Sequence, residues 1–163
     1  MCDYSLMAIP NRLAVSGEDL VVHRFEAGSV IGLASPCDIR RRREYRKVPS
    51  HGFWPRLKEL FDPPDAPVIP AVCIPPGARL LVCDISAKLR HECGLHEEVG
   101  EAVFTQITAA ANTFRDAVRF HNGVEILLQK LDVGQRVRVL SLSSAEEPET
   151  APTEQPRAMM RVP

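Results

Sequence analysis

The chain has little that would mark it for a membrane, a disulfide scaffold or a familiar enzyme class. No run approaches the ~18 apolar residues that a membrane span requires, and the first residues lack the basic-then-apolar pattern of a signal peptide. It therefore reads as a cytoplasmic protein with no membrane contact. Cysteines stand at 2, 37, 73, 83 and 93, an odd number without a CxxC pair. That pattern fits neither a secreted disulfide framework nor a zinc ribbon, so reduced thiols are expected. GxSxG, a phosphate-binding P-loop, GxGxxG after a strand and HExxH are all absent, which removes the commonest hydrolase, nucleotide and metalloprotease signatures.

What remains is the composition of an ordinary globular protein with some added loop and tail: 45% hydrophobic, 25% charged and 14 prolines in 163 residues. That length suits one domain with a real core. The net charge of −1 conceals an uneven distribution, because residues 40–47 (RRRREYRK) carry +5 and leave −6 for the rest.

Hydrophobic spacing predicts a mainly β fold, a small antiparallel β-barrel or sandwich with one or two short helices. The run CDYSLMAI reads as a short strand stopped by Pro10, with a polar turn near Gly17. Residues 20–25 and 29–34 flank Glu26-Ala27-Gly28 and predict a hairpin. Residues 36–70 read as a basic, Pro-rich, partly helical insertion. Its helical island is 53–61, where Phe53, Trp54, Leu57, Leu60 and Phe61 share a face. From 71 the β pattern returns as VCIPPG, a turn and RLLVCDI, after which Ser86 can cap a short helix ending near Gly94. Residues 101–107, 116–120, 124–131 and 135–142 read as a meander of consecutive strands, with a β-bulge in the last, where Val137 and Val139 face opposite to Leu140 and Leu142. The domain is thus placed at 1–143. Residues 144–163, rich in proline and glutamate, cannot bury enough apolar surface to fold and are expected to be a disordered tail.

The opening MCDYSLMAIPNRLA and the closing TFRDAVRFHNGVEILLQKLDVGQRVRVLSL together resemble a family of small bacterial proteins over most of residues 1–35 and 71–142. The resemblance implies a bacterial source and carries no activity or ligand to transfer. AVCIPPGARLLV also resembles the proline-glycine turns of cupin barrels, but the HxH metal pair of a catalytic cupin is missing.

Three constellations could carry function. Removal of Met1 would expose Cys2 as a terminal residue whose amine can serve as base for its own thiol, the logic of a cysteine-dependent hydrolase or transferase. This start resembles that of class II glutamine amidotransferases in the cysteine alone, and a cysteine packed as a small hydrophobe is the simpler explanation. His91, Cys93 and His96 lie within six residues and could join an N/S metal site, although their spacing is unspecific. Arg40, Arg41, Arg42, Arg43, Tyr45, Arg46 and Lys47, with Phe53 and Trp54 nearby, could contact a partner protein, or nucleic acid through a cation-plus-aromatic arm. Asp84, Asp116 and Asp132 fall at strand ends and turns, where backbone capping explains them. The reading that follows is a non-catalytic binding or accessory domain that contacts a partner protein or small ligand through the 36–70 arm.

Overall fold

Strict alternation of buried and exposed residues along most strands organises the structure into one large antiparallel sheet. The computed structural model describes residues 9–25, 30–47, 67–108, 110 and 113–142. The strands are β1 (Asn11–Leu13), β2 (Asp19–Arg24), β3 (Ile31–Ala34), β4 (Ala71–Cys73), β5 (Arg79–Val82), β6 (Gly100–Gln106), β7 (Asp116–Phe120), β8 (Glu125–Leu127) and β9 (Arg136–Ser141). Helix α1 spans Pro36–Lys47, α2 spans Ala87–Cys93, and a 3-10 turn covers Leu128–Lys130. The main sheet has seven strands in the order β3-β2-β9-β5-β6-β7-β8. β1 and β4 form a separate parallel pair, with Leu13 opposite Cys73.

Several expectations hold. β2 and β3 pair as a hairpin from Val21 opposite Ala34 to Arg24 opposite Ile31. α2 begins at Ser86, whose hydroxyl accepts from the Leu89 amide, and ends at Gly94 with φ 62°, a left-handed cap that suits glycine. In β9 the pairing with β5 slips between Arg79 opposite Ser141 and Leu80 opposite Val139. Leu140 is the extra residue, which resolves the change of phase between the two valines and two leucines.

Other expectations are corrected. β6, β7 and β8 do form a meander, but β9 does not continue it. It crosses to the centre of the sheet between β2 and β5, because Val137 and Val139, at 1% and 0% exposure, need cover from both sides. Residues 128–130 form a 3-10 turn and not the end of a strand. The basic run is helical, whereas the helix had been expected only at 53–61. A strand also follows Pro10, where the sequence reading placed only a turn. The predicted elements at 1–8 and 53–61, the loop 26–28 and the tail 144–163 lie outside the described residues.

The inner face of the main sheet forms the larger core. Leu20, Val22, Leu80, Val82, Val118, Phe120, Val137 and Val139 are all essentially inaccessible, and α2 closes the core with Leu89 and Cys93. Gly100 lets the chain pass close to this core, since a Cβ there would lie 3.4 Å from the Phe120 ring. A smaller cluster of Ile9, Phe25, Ala34 and Ala71 is extended by the half-buried Val30, Ile39 and Ile69. It lies under α1.

The outer face carries cross-strand ion pairs. Asp19 and Arg138 stand opposite each other on β2 and β9, and Arg119 and Glu125 do the same on β7 and β8. Arg79 pairs with Glu101, and Arg136 grips Asp84 with contacts of 2.5 and 3.0 Å. Exposed pairs of this kind stabilise little, but they neutralise the face. Among the described residues the backbone ladder does not close, and its two edges are β3 and β8. One side chain spans them: Gln129 accepts from the Ile31 amide at 3.2 Å and donates to the Ile31 carbonyl at 2.7 Å.

Candidate partner-binding site

Helix α1 follows β3 directly, and the local sequence explains where it starts. Ser35 accepts through its hydroxyl from the Cys37 amide at 3.3 Å and through its carbonyl from the Ile39 amide at 3.2 Å. Pro36 occupies the first helical position, where its missing N–H costs nothing, and Asp38 places negative charge in the first turn. Ser35, Pro36 and Asp38 were thus a readable helix start that the sequence reading passed over.

The helix docks through residues three apart. Ile39 packs on the smaller core cluster, Arg42 donates to the Pro67 carbonyl at 3.4 Å, and Tyr45 is half-buried on the same side. Arg40, Arg41, Arg43 and Glu44 are exposed. Arg40, Arg41 and Arg43 make no ion pair with a described carboxylate. Arg12, Arg79, Arg90, Arg119, Arg136 and Arg138 each make one. Arg40, Arg41 and Arg43 thus differ from those six in meeting no described carboxylate. The side chains of Arg46 and Lys47, and the whole of Phe53 and Trp54, lie outside the described residues, as does Cys2.

The other candidates are dispersed. His91 and His96 are exposed, while Cys93 is buried beneath α2 and its carbonyl accepts from the Asn122 side-chain amide at 2.8 Å. Burial, reinforced by Glu92, pushes the Cys93 thiol above its usual range, which disfavours the thiolate a metal or an electrophile needs. Among the described residues no three His, Cys, Asp or Glu side chains gather closely enough to hold a metal ion. Asp84 has φ 56° and pairs with Arg136, whose hydrogen bond holds the carboxyl below its ordinary value. Asp116 is buried and accepts from the Gln106 amide at 2.9 Å. The expectation of reduced thiols throughout is corrected at Cys73, which is disulfide-bonded, while Cys37, Cys83 and Cys93 are free.

Glu18 stitches the turn between β1 and β2. It accepts from both terminal nitrogens of Arg12 and from the Val15 amide, and these bonds, led by Arg12, lower its pKa. Compared with family models, curated proteins and solved structures, the chain matches none.

Proposed function

We propose that this is a non-catalytic binding or accessory domain that contacts an acidic segment of a partner protein through the 36–70 arm, with the outward guanidinium groups of α1 as the contact. The observation that carries this reading is that Arg40, Arg41 and Arg43 stand exposed together on α1 without a described carboxylate partner, whereas six arginines elsewhere are ion-paired. Unneutralised cations on a docked helix attract anionic surfaces and speed encounter. The sheet serves as a barrel-like scaffold, a view supported by the Gln129 link between its edges.

An acidic protein segment is favoured over nucleic acid because the cluster Arg40, Arg41 and Arg43 sits on one helix about 18 Å long. Among the described residues the adjoining sheet offers ion pairs and no continuous basic track for a phosphate backbone.

The test is fluorescence anisotropy with a labelled poly-glutamate 15-mer and a single-stranded oligonucleotide 15-mer, against the full chain and an R40E/R41E/R43E variant. The expected result is that the peptide binds better than the oligonucleotide, weakens with salt, and loses about tenfold or more in affinity on charge reversal. Peptide binding that is absent, or unchanged by the reversal, would sink the reading. Preference for the oligonucleotide would transfer the site to nucleic acid.

A further inference from the structure

Successive residues of a helix turn by about 100° and rise by about 1.5 Å, which fixes how the arginines of α1 fan out. Measured from Arg40, Arg42 falls about 200° away, on the side that meets Pro67. Arg43 falls only about 60° away and about 4.5 Å along the axis, while Glu44 and Arg41 stand about 40° and 100° off on the other flank. Arg40 and Arg43 are therefore exposed neighbours one turn apart, with Cβ atoms about 5–6 Å from each other. Two like charges at that spacing weaken a helix, and neither meets a described carboxylate. The pair is nonetheless held in place, because Ser35 caps α1 and Ile39 and Arg42 dock it.

We infer that Arg40 and Arg43 together grip one phosphate monoester, so that the acidic partner segment carries a phosphorylated serine or threonine. This rests on the reading of α1 as the contact and narrows the chemistry of what it meets. Both groups are guanidinium, a flat fork whose N–H donors meet two oxygens of an acid at once. A carboxylate has two oxygens and a single charge, and one fork uses both. A phosphate monoester brings three terminal oxygens and a charge of about −1.5 to −2 near neutral pH, enough to engage two forks. A nucleic-acid phosphodiester carries one charge per group and two terminal oxygens, so it stands nearer the carboxylate than the monoester. Glu44 repels an anion by charge, and a ligand seated between Arg40 and Arg43 lies about 70° from it around the axis.

The experiment is fluorescence anisotropy on the full chain with two labelled glutamate-rich 15-mers. Their central pair is phosphoserine-alanine in one and glutamate-glutamate in the other, so that the charges nearly match and only the oxygen geometry differs. The phosphopeptide should bind about fivefold or more tightly. R40K/R43K keeps both charges and loses both forks, so it should abolish that preference while holding the glutamate peptide within about twofold. R41K, on the other flank, should keep the preference. Equal affinity for the two peptides overturns the inference. So does a preference that survives R40K/R43K, one lost equally in R41K, or loss of both peptides alike in R40K/R43K. Displacement of the phosphopeptide by a 15-mer oligonucleotide at lower concentration than by unlabelled phosphopeptide also overturns it, in favour of nucleic acid. The α1 reading itself fails by a separate result, a glutamate peptide that does not bind or that ignores R40E/R41E/R43E.

Discussion

Cys37 and Cys93 have the same side chain in opposite surroundings. Cys37 is exposed near the start of α1, and Cys93 lies inside the main core at 3% exposure with its thiol pushed upward by burial. Reaction of a thiol requires both access and thiolate, and Cys93 is short of both. Alkylation by iodoacetamide at neutral pH, followed by mass spectrometry of the tryptic peptides, should therefore modify Cys37 at least about tenfold faster than Cys93. Equal rates would mean that α2 opens readily, contrary to its capping by Ser86, Gly94 and Asn122. The same contrast explains why HECGLH does not form a ligand set. Its cysteine is drawn inward with Leu89 and Leu95 while both histidines stay outside.

Two elements depend on single polar side chains. Ser35 supplies the only side-chain cap described for α1, and Ser35→Ala should destabilise the domain by about 0.5–2 kcal/mol. Circular dichroism during urea unfolding reads that loss, and an unchanged midpoint would show that docking of Ile39 alone holds the helix. Gln129 serves both backbone groups of Ile31 at the edge of β3, so Gln129→Ala leaves an N–H and a C=O without that partner. A cost of about 1–3 kcal/mol is expected, with faster hydrogen exchange at the Ile31 amide. Exchange that stays as slow as in the parent chain would show that the sheet edges are held by apolar packing.

These elements also show what was legible in the residue pattern. Local signals identified these elements, because each is encoded within a few residues: strand-like runs gave β2, β3, β6 and β7, the Ser86 cap and Gly94 stop gave α2, and the change of phase gave the bulge in β9. The central position of β9 was not legible. It arises from competition among strands for cover, and local spacing places β9 beside β8 just as well. Helix α1 was missed because its exposed face is almost wholly charged and its docking side offers Ile39 with the polar Arg42 and Tyr45 in place of an apolar stripe. Of the proposed contact residues, Arg40, Arg41 and Arg43 project outward, whereas Arg42 and Tyr45 serve the docking side. The arginine run marked the place and not the roles.

Across the whole molecule, arginine–carboxylate pairing gives stability a definite dependence on acid. Glu18, Asp19 and Asp84 all have lowered pKa values, each caused first by a hydrogen bond from an arginine: Arg12, Arg138 and Arg136. A carboxyl whose pKa is lower in the folded than in the unfolded chain binds fewer protons when folded. Its contribution is complete above the unfolded value and fades as pH falls through the folded one. Asp19 and Asp84 are fully exposed, so salt and water screen them and their share is small. Glu18 is the exception, because its side chain is only 17% exposed and it holds the Val15 amide as well as Arg12. Urea midpoints measured from pH 7 to pH 3 should stay level with respect to these groups at the upper end and decline from about pH 4.5 downward. Glu18→Gln should cost about 1–2 kcal/mol at pH 7 and progressively less toward pH 3, where the parent side chain is itself protonated. If the gap between parent and variant instead widened as pH fell, the Arg12–Glu18 pair would not be the group that couples this fold to protons.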